Sequence, residues 1–286
     1  MPSLMVTGAS SGIGWACVAS ATQQGWHAYA GVRRHVDAER LRQQFGDHVT
    51  PVILDVCDTE TIATAAQHVR TQLAGHTLNG LINNAGVAVA GPMLHIPLDE
   101  VRQQFEINFF GQIAVTQAFA PLLGTDATLD GAHGRIINVS SLGGKLGAPY
   151  LAPYVSSKHA LEGWSECLRR ELLMYGIDVV IVGPGAIATP IWSKAEQLNI
   201  AQYTDTDYAP YITHYHQKLM AKGIHGLPAE RVGALIMHAL TTPRPKTRYA
   251  LAPNILMDWW LPRLLPKRWV DRIAAKSYGL PDLPVN

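Results

Sequence analysis

Cysteine is scarce in this chain: Cys17, Cys57 and Cys167 are the three in 286 residues, and they lie far apart. A disulfide framework or a zinc cluster needs more thiols at closer spacing, so reduced thiols and no metal site are expected. Charge is thin as well. Asp, Glu, Lys and Arg make up 16%, and neither sign dominates, with 23 basic against 22 acidic residues and a net charge of +1. A protein that grips a polyanion usually carries a basic excess, so nucleic acid is not an expected partner. No stretch reaches the roughly 18 consecutive apolar residues of a membrane span. A glycine-rich turn begins at Gly8 and leaves no room before it for a secretory leader, so a cytoplasmic location is expected. Internal repeats and low-complexity tracts are missing too.

Apolar residues, by contrast, make up 48%, ample for a packed core. Short apolar runs at 4–7, 27–32, 49–54, 80–83, 135–139, 178–182 and 247–250 read as strands. Helical segments at 12–24, 58–74, 98–122, 153–175 and 228–240 alternate with them. Strands that are apolar throughout are buried on both faces. Alternating with helices, they predict an α/β fold: a doubly wound, mostly parallel, seven-stranded sheet with helices on both faces. One domain over residues 1–252 is expected, followed by an apolar extension over 253–286.

Thr7-Gly8-Ala9-Ser10-Ser11-Gly12-Ile13-Gly14 follows the first strand and opens a helix. Glycines there let the backbone turn tightly and approach a pyrophosphate, and the helix N-terminus offers free N–H groups and a favourable dipole. The end of the second strand reads Gly31-Val32-Arg33-Arg34, with no carboxylate before Asp37. Two guanidiniums there suit the 2′-phosphate of NADP, whereas an acidic residue would suit the ribose hydroxyl of NAD. NADP is therefore the expected cofactor, with NAD as the alternative. Asp55-Val56 ends the third strand and is placed either to meet the adenine edge or to cap the next helix, a role open also to Asp58 or Thr59.

Tyr154 and Lys158 stand at i and i+4, on one helix face. An ammonium beside a phenol lowers its pKa from the ordinary value of about 10, so such a tyrosine can exchange protons near neutral pH. Ser140 and Ser141 follow the fifth strand at the carboxyl edge, where ligands bind in open α/β sheets. Asn83-Asn84-Ala85-Gly86 ends the fourth strand at the same edge. Asn108 lies inside the following helix, where asparagine is a poor helix former.

These motifs, in this order, together with Pro184-Gly185, resemble the short-chain dehydrogenase/reductase family in its compact single-domain branch, over residues 4 to about 190. The G-x-x-x-G-x-G spacing is that branch's version of the turn. The resemblance implies a Rossmann-type fold and an NAD(P)-dependent oxidoreductase. Tyr154 is then the proton donor or acceptor. Lys158 lowers its pKa and binds the nicotinamide ribose, and Ser141 hydrogen-bonds the substrate oxygen. Asn108 anchors a water that continues the proton relay. The cofactor site takes Gly8, Ser10, Ser11, Gly12, Ile13, Gly14, Arg33, Arg34, Asp55, Val56, Asn84, Ala85, Gly86, Tyr154, Lys158, Pro184, Gly185, Ile187 and Thr189. The 13-residue spacing to Tyr154 and the following Gly143-Gly144 favour Ser141 over Ser140. Gly143, Leu146, Tyr150 and Ala186 are expected to face substrate beside Ser141. A homodimer or homotetramer through the helices carrying Asn108 and Tyr154 is also implied.

Three stretches depart from the core pattern. Residues 124–134 read as a polar surface loop. Residues 190–227 occupy the place of a substrate lid and gather Tyr203, Tyr208, Tyr211, His214, Tyr215 and His216 with Trp192 and Met220. This aromatic content suits a bulky apolar alcohol or ketone of steroid, retinoid or lipid kind. The stretch 255–273 is apolar with interspersed Arg and Lys. It can cover the substrate mouth, form an oligomer contact or lie on a membrane surface; Pro262 and Pro266 break any long helix and weigh against the last. A nucleotide-binding regulator without turnover is the alternative function.

Overall fold

The computed structural model describes residues 1–189 and 200–281. Seven strands form one sheet in the order β3-β2-β1-β4-β5-β6-β9: β1 (Ser3–Val6), β2 (His27–Val32), β3 (Val49–Ile53), β4 (Gly80–Asn83), β5 (Arg135–Val139), β6 (Asp178–Pro184) and β9 (Arg248–Leu251). Every pairing in it is parallel. Two more short strands, β7 (Ile187–Ala188) and β8 (Leu227–Pro228), pair with each other. The seven expected strands are thus all present, in a Rossmann-type fold. The order in which the chain adds strands reverses at β1, with β2 and β3 laid down on one side and β4 to β9 on the other, which opens the crevice used for ligands in such folds.

Side chains alternate across each strand, so one strand feeds two cores. Leu4 and Val6 of β1 meet helices α1 (Gly12–Gln23) and α8 (Ala229–Thr241) through residues such as Ala16, Ala21, Val232 and Ile236. Met5 of the same strand joins the opposite core with Ile62, Ala65 and Val69 of α3 (Thr59–Leu73) and Val115 and Phe119 of α5 (Gly111–Phe119). Asp58 caps α3, accepting from the N–H groups of Glu60 and Thr61 at 2.9 and 3.2 Å. Of the residues offered for that cap it is the one used, which leaves Asp55 outside the helix. Helix α2 (His35–Phe45), mostly polar, was not among the anticipated segments; it buries Asp37, Ala38 and Leu41.

The expected helix over 98–122 is continuous but not uniform. Helix α4 (Leu98–Phe105) passes through a π turn (Glu106–Phe110) into α5. The expected segment 153–175 is α6 (Ala152–Glu171) with a tighter final turn at Leu172–Tyr175. The loop at 124–134 is tied down: Arg70 reaches Asp126 at 2.7 Å, and Thr77 donates to the Ala132 carbonyl at 2.8 Å.

Within the expected lid, α7 (Ala209–Ile224) is described, whereas residues 190–199, including Trp192, lie outside the described residues. The extension over 253–281 holds a π turn (Leu256–Trp260), a four-residue helix (Leu261–Leu264) and a longer helix, Lys267–Tyr278. Pro262 and Pro266 stand at the starts of these two helices, where a missing N–H costs nothing. Among the described residues no helix is long and apolar enough to cross a membrane.

Candidate active site

The glycine turn is shaped by its neighbours. Gly8 adopts φ +66°, which favours glycine, and a Cβ on Gly14 would run into the Gly8 carbonyl and the Asn84 amide. Asn84 holds the turn from β4: its Nδ2 donates to the carbonyls of Thr7 and Gly8 at 2.9 and 3.2 Å. The N–H groups of Asn84 and Ala85 both donate to Thr7 Oγ1 at 3.0 Å. Ser11 precedes α1 without placing its hydroxyl on the helix N–H groups. Those donors and the glycine backbone form the cradle that a pyrophosphate fits. Gly86 approaches Asn108, since a Cβ there would stand 3.2 Å from its Oδ1.

The rim beyond β2 differs from its expectation in detail. Arg33 is exposed at the strand end. Arg34 is also exposed, but its guanidinium makes two hydrogen bonds to the Asp37 carboxylate, at 2.7 and 3.1 Å. The carboxylate three residues along the chain therefore reaches back to one of the two arginines. Arg40, which the sequence did not single out, lies over the Trp15 ring at 5.0 Å and donates to the Ser10 carbonyl in the turn. Its spacing from Asp37 on one face of α2 was the signal available. Beside this rim, after the neighbouring strand β3, Asp55 Oδ1 accepts from the Cys57 N–H at 3.0 Å, and Val56 is buried.

Ser141, Tyr154, Lys158 and Asn108 come together at the carboxyl edge of β4 and β5. Ser141 follows β5 and accepts from the Gly143 N–H at 3.0 Å. The Tyr154 ring lies beside the Ser141 hydroxyl: a Cβ on Gly143 would stand 3.4 Å from Ser141 Oγ and 3.7 Å from Tyr154 Cε1. Lys158 is buried one turn further along α6, its Nζ on the Val139 carbonyl at 2.8 Å and 6.0 Å from the Tyr154 ring centre. Asn108 sits in the π turn, fully buried. Its side chain donates to the Val87 carbonyl at 3.0 Å and to Ser157 Oγ at 3.2 Å, and accepts from the Val87 N–H at 2.9 Å. Ser157 in turn donates to the Tyr154 carbonyl at 2.7 Å.

The electrostatics correct one expectation. Burial pushes the Tyr154 phenol above its ordinary range, and the bond with Ser141 works against that rise. Lys158 is not among the groups that move it: its Nζ stands 6.0 Å from the Tyr154 ring centre. Lys158 is the group moved toward neutrality, to about 8, by burial, with the Glu162 charge opposing. The two serines point to different surroundings. Ser140 points away and donates to buried Glu162 at 2.8 Å, whereas Ser141 faces Tyr154.

After β6, the Gly185 N–H donates to Leu251 at 2.7 Å and the Ala186 carbonyl accepts from Leu227 at 3.0 Å. Ile187 is buried in β7, and Thr189 is the last residue before the undescribed stretch. Tyr150 departs from its expected place facing substrate. Its backbone takes φ +61°, and its ring is buried under α7, 4.4 Å from Tyr215 and 5.9 Å from Tyr208. Tyr203 and Ile212 complete this aromatic cluster. Leu146 does line a cavity of about 1000 Å³, together with Pro149, Tyr208 and Tyr211, and with Met257, Pro262, Val270 and Ile273 from the extension. Among the described residues no three His, Cys, Asp or Glu side chains gather as a metal site would need.

Comparison with known proteins bears on this arrangement. A model of the family described as short chain dehydrogenase matches residues 3–199. The chain is 36% identical over 273 residues to an NADPH-dependent 3-dehydrocapnine reductase of Ornithobacterium rhinotracheale, covering 96% of each. It is 30% identical to retinol dehydrogenase 5 of Mus musculus, covering 95% of this chain and 87% of that one. Among solved structures, a short-chain dehydrogenase from Streptomyces avermitilis superposes with a TM-score of 0.73 at 27% identity, covering 96% of this chain and 94% of that one. With the family match and relatives along nearly its whole length, the chain belongs to the short-chain dehydrogenase/reductase family of oxidoreductases.

Proposed function

We propose that this oxidoreductase uses NADP(H) to interconvert a carbonyl and an alcohol on a medium-to-large apolar substrate, with Tyr154 exchanging the proton. The observation that carries the reading is the convergence of Ser141 and Tyr154, whose Oγ and ring edge stand 3.4 and 3.7 Å from where a Cβ on Gly143 would lie. The glycine cradle and the free N–H groups of α1 fit a dinucleotide pyrophosphate, and exposed Arg33 and Arg34 fit a 2′-phosphate. The NADPH dependence of the relative from Ornithobacterium rhinotracheale supports the same choice; NAD is the alternative. When bound, the dinucleotide supplies or accepts the hydride.

The chain's own groups do the rest. Ser141 Oγ and the Tyr154 hydroxyl hold the substrate oxygen between them. In reduction Tyr154 gives its proton to that oxygen; in oxidation it takes one. Burial keeps the phenol protonated at neutral pH, the state that reduction requires. Lys158, brought to about 8 by burial and one helical turn from Tyr154, is placed to hand a proton on, and it would hold the nicotinamide ribose of a bound dinucleotide. Asn108 fixes the Val87 loop against α6 through Ser157, consistent with a place in the proton relay. The cavity under the extension pairs an apolar and aromatic wall with Asp207, Asp258, Lys267 and Asp271, which supports a lipophilic substrate of steroid, retinoid or lipid kind with a polar handle, and its lining supports the extension as cover for the substrate mouth. A homo-oligomer through α4–α5 and α6 belongs to the same reading. Exposed Leu256, Trp260, Leu264, Trp269 and Ile273 favour peripheral membrane contact as a further role of the extension.

Titration with NADPH and NADH, followed by fluorescence, tests the cofactor. Tight NADPH and weak NADH binding is expected; the reverse preference would remove the 2′-phosphate argument. Oxidation of NADPH with a panel of aldehydes and ketones tests turnover, and binding without turnover on any of them would favour the regulator.

A further inference from the structure

Beneath Ser141 lies a buried ionic cluster that the family motifs do not include. Glu162, one turn beyond Lys158 on α6, is fully buried. Its carboxylate accepts from Ser140 at 2.8 Å and from Arg248 Nε at 3.0 and 3.1 Å and Nη2 at 2.8 Å, with Lys145 Nζ 3.5 Å away. The same Nη2 donates to the Ser141 carbonyl at 3.0 Å. Arg248 begins the edge strand β9, so one guanidinium ties the last strand of the sheet to α6 and to the backbone of the serine.

The outer face of that guanidinium is covered from the extension. The Trp259 ring centre is 4.1 Å from the Arg248 guanidinium carbon, and Arg263 lies against the same ring at 4.3 Å. Trp259 is 5% exposed, whereas its neighbours Leu256, Met257 and Trp260 are 62%, 53% and 48% exposed. In an apolar segment open to solvent, the ring that turns inward is the one that stacks on Arg248. Two glycines leave room for the cluster. A Cβ on Gly144 would strike Glu162 Oε1 and Ser140 Oγ, and one on Gly183 would strike the Arg248 guanidinium.

We propose that Arg248 and Trp259 are positioning residues, a strut by which the C-terminal extension holds Ser141 in register with Tyr154. The catalytic part of this inference rests on the function proposed above; the mechanical part does not. A planar cation bound on one edge by a carboxylate and on one face by an indole has little freedom left. The second N–H of its Nη2 fixes the Ser141 carbonyl, and with it the start of the turn whose Gly143 N–H bonds Ser141 Oγ. Removing the ring frees the guanidinium, and a small displacement of the serine is enough to cost rate.

Two variants separate stacking from simple filling. Trp259→Phe keeps an aromatic face, and Trp259→Leu keeps an apolar side chain without one. Hydrogen exchange is measured on the peptide spanning residues 141–146. Trp259→Leu is expected to speed its exchange by about fivefold or more and to leave peptides from β1–β3 unchanged, while Trp259→Phe stays within about twofold of the parent. Turnover is then measured with NADPH on decanal and 2-decanone. For whichever probe the parent reduces, Trp259→Leu is expected to lower kcat roughly ten- to a hundredfold, to leave the KM for NADPH within about twofold, and to be largely rescued in Trp259→Phe. Unchanged exchange at 141–146 in Trp259→Leu overturns the strut whether or not either probe is reduced. Faster exchange with undiminished kcat overturns the serine assignment instead and leaves the mechanical part standing. Equal losses in both variants would mean that the ring acts by size alone, against the proposal.

Discussion

The middle of the sheet and its β9 end are held by different means. At the middle, where β1 meets β4, the glycine turn is fixed by close contacts: Thr7, Gly8, Gly14, Asn84 and Ala85 are held together through backbone groups and short polar side chains. On the β9 side, the serine turn is fixed by long charged side chains. Arg248 reaches Glu162, 86 residues away in the chain, and Ser141, 107 residues away. Arg135 likewise ends α8 by donating to the carbonyls of Ala239, Leu240 and Thr242 at 2.6, 2.8 and 3.1 Å. A phosphate cradle needs backbone close to its ligand, which small residues allow. A substrate side needs walls of variable shape, and long side chains can brace these from a distance.

Four measurements break or sharpen this contrast. Tyr154→Phe removes the proton group alone. Turnover is expected to fall about 10³-fold, with NADPH affinity by fluorescence titration within about twofold of the parent; near-normal turnover would refute the assigned chemistry. Glu162→Ala leaves the Arg248 guanidinium buried without its carboxylate. The expected loss is about 3–5 kcal/mol in urea unfolding, the cost of an uncompensated buried charge. If stability is unchanged, the β9 side is not braced by charge.

Arg33→Ala with Arg34→Ala addresses the opposite side. NADPH binding is expected to weaken roughly ten- to a hundredfold while NADH binding hardly moves, because only the first carries the phosphate; equal losses would make both arginines part of the scaffold. The smallest effect is a slope. Burial holds Lys158 at about 8, below the ordinary lysine value, so between that pH and about 10.4 the unfolded chain keeps a proton that the folded chain has released. Stability should therefore rise with pH across this window, by at most about 1.4 kcal/mol per unit. Lys158→Met should lack that component, and a parallel pH dependence in parent and variant would show the lysine free to ionise.

The legible part of the molecule was its short-range part. Most of the seven strands could be read because they are apolar on both faces, and the glycine turn because its residues are contiguous. Tyr154 and Lys158 could be read because a helix places i and i+4 together. Asp37 was noted as the nearest carboxylate to Arg34, but a helix start that brings the two into contact is a matter of backbone path. Tyr150 was misplaced for a similar reason: its left-handed backbone turns the ring under α7, which no spacing reveals. Arg248, Glu162 and Trp259 were invisible as a set. Each is ordinary in its own segment, and only the sheet order makes them neighbours.

That arrangement has a consequence for how the protein comes into being. Synthesis runs from the amino end, and early segments can collapse before late ones exist. The turn at Gly8, Asn108, Ser141, Tyr154, Lys158 and Glu162 all precede the guanidinium that neutralises Glu162, and the indole that covers it comes later still. A nascent chain stopped short of Arg248 would carry every group of the proposed chemistry around a carboxylate left with Ser140 and Lys145. The arrival of β9, more than that of the motifs, marks the moment at which Glu162 gains its guanidinium partner.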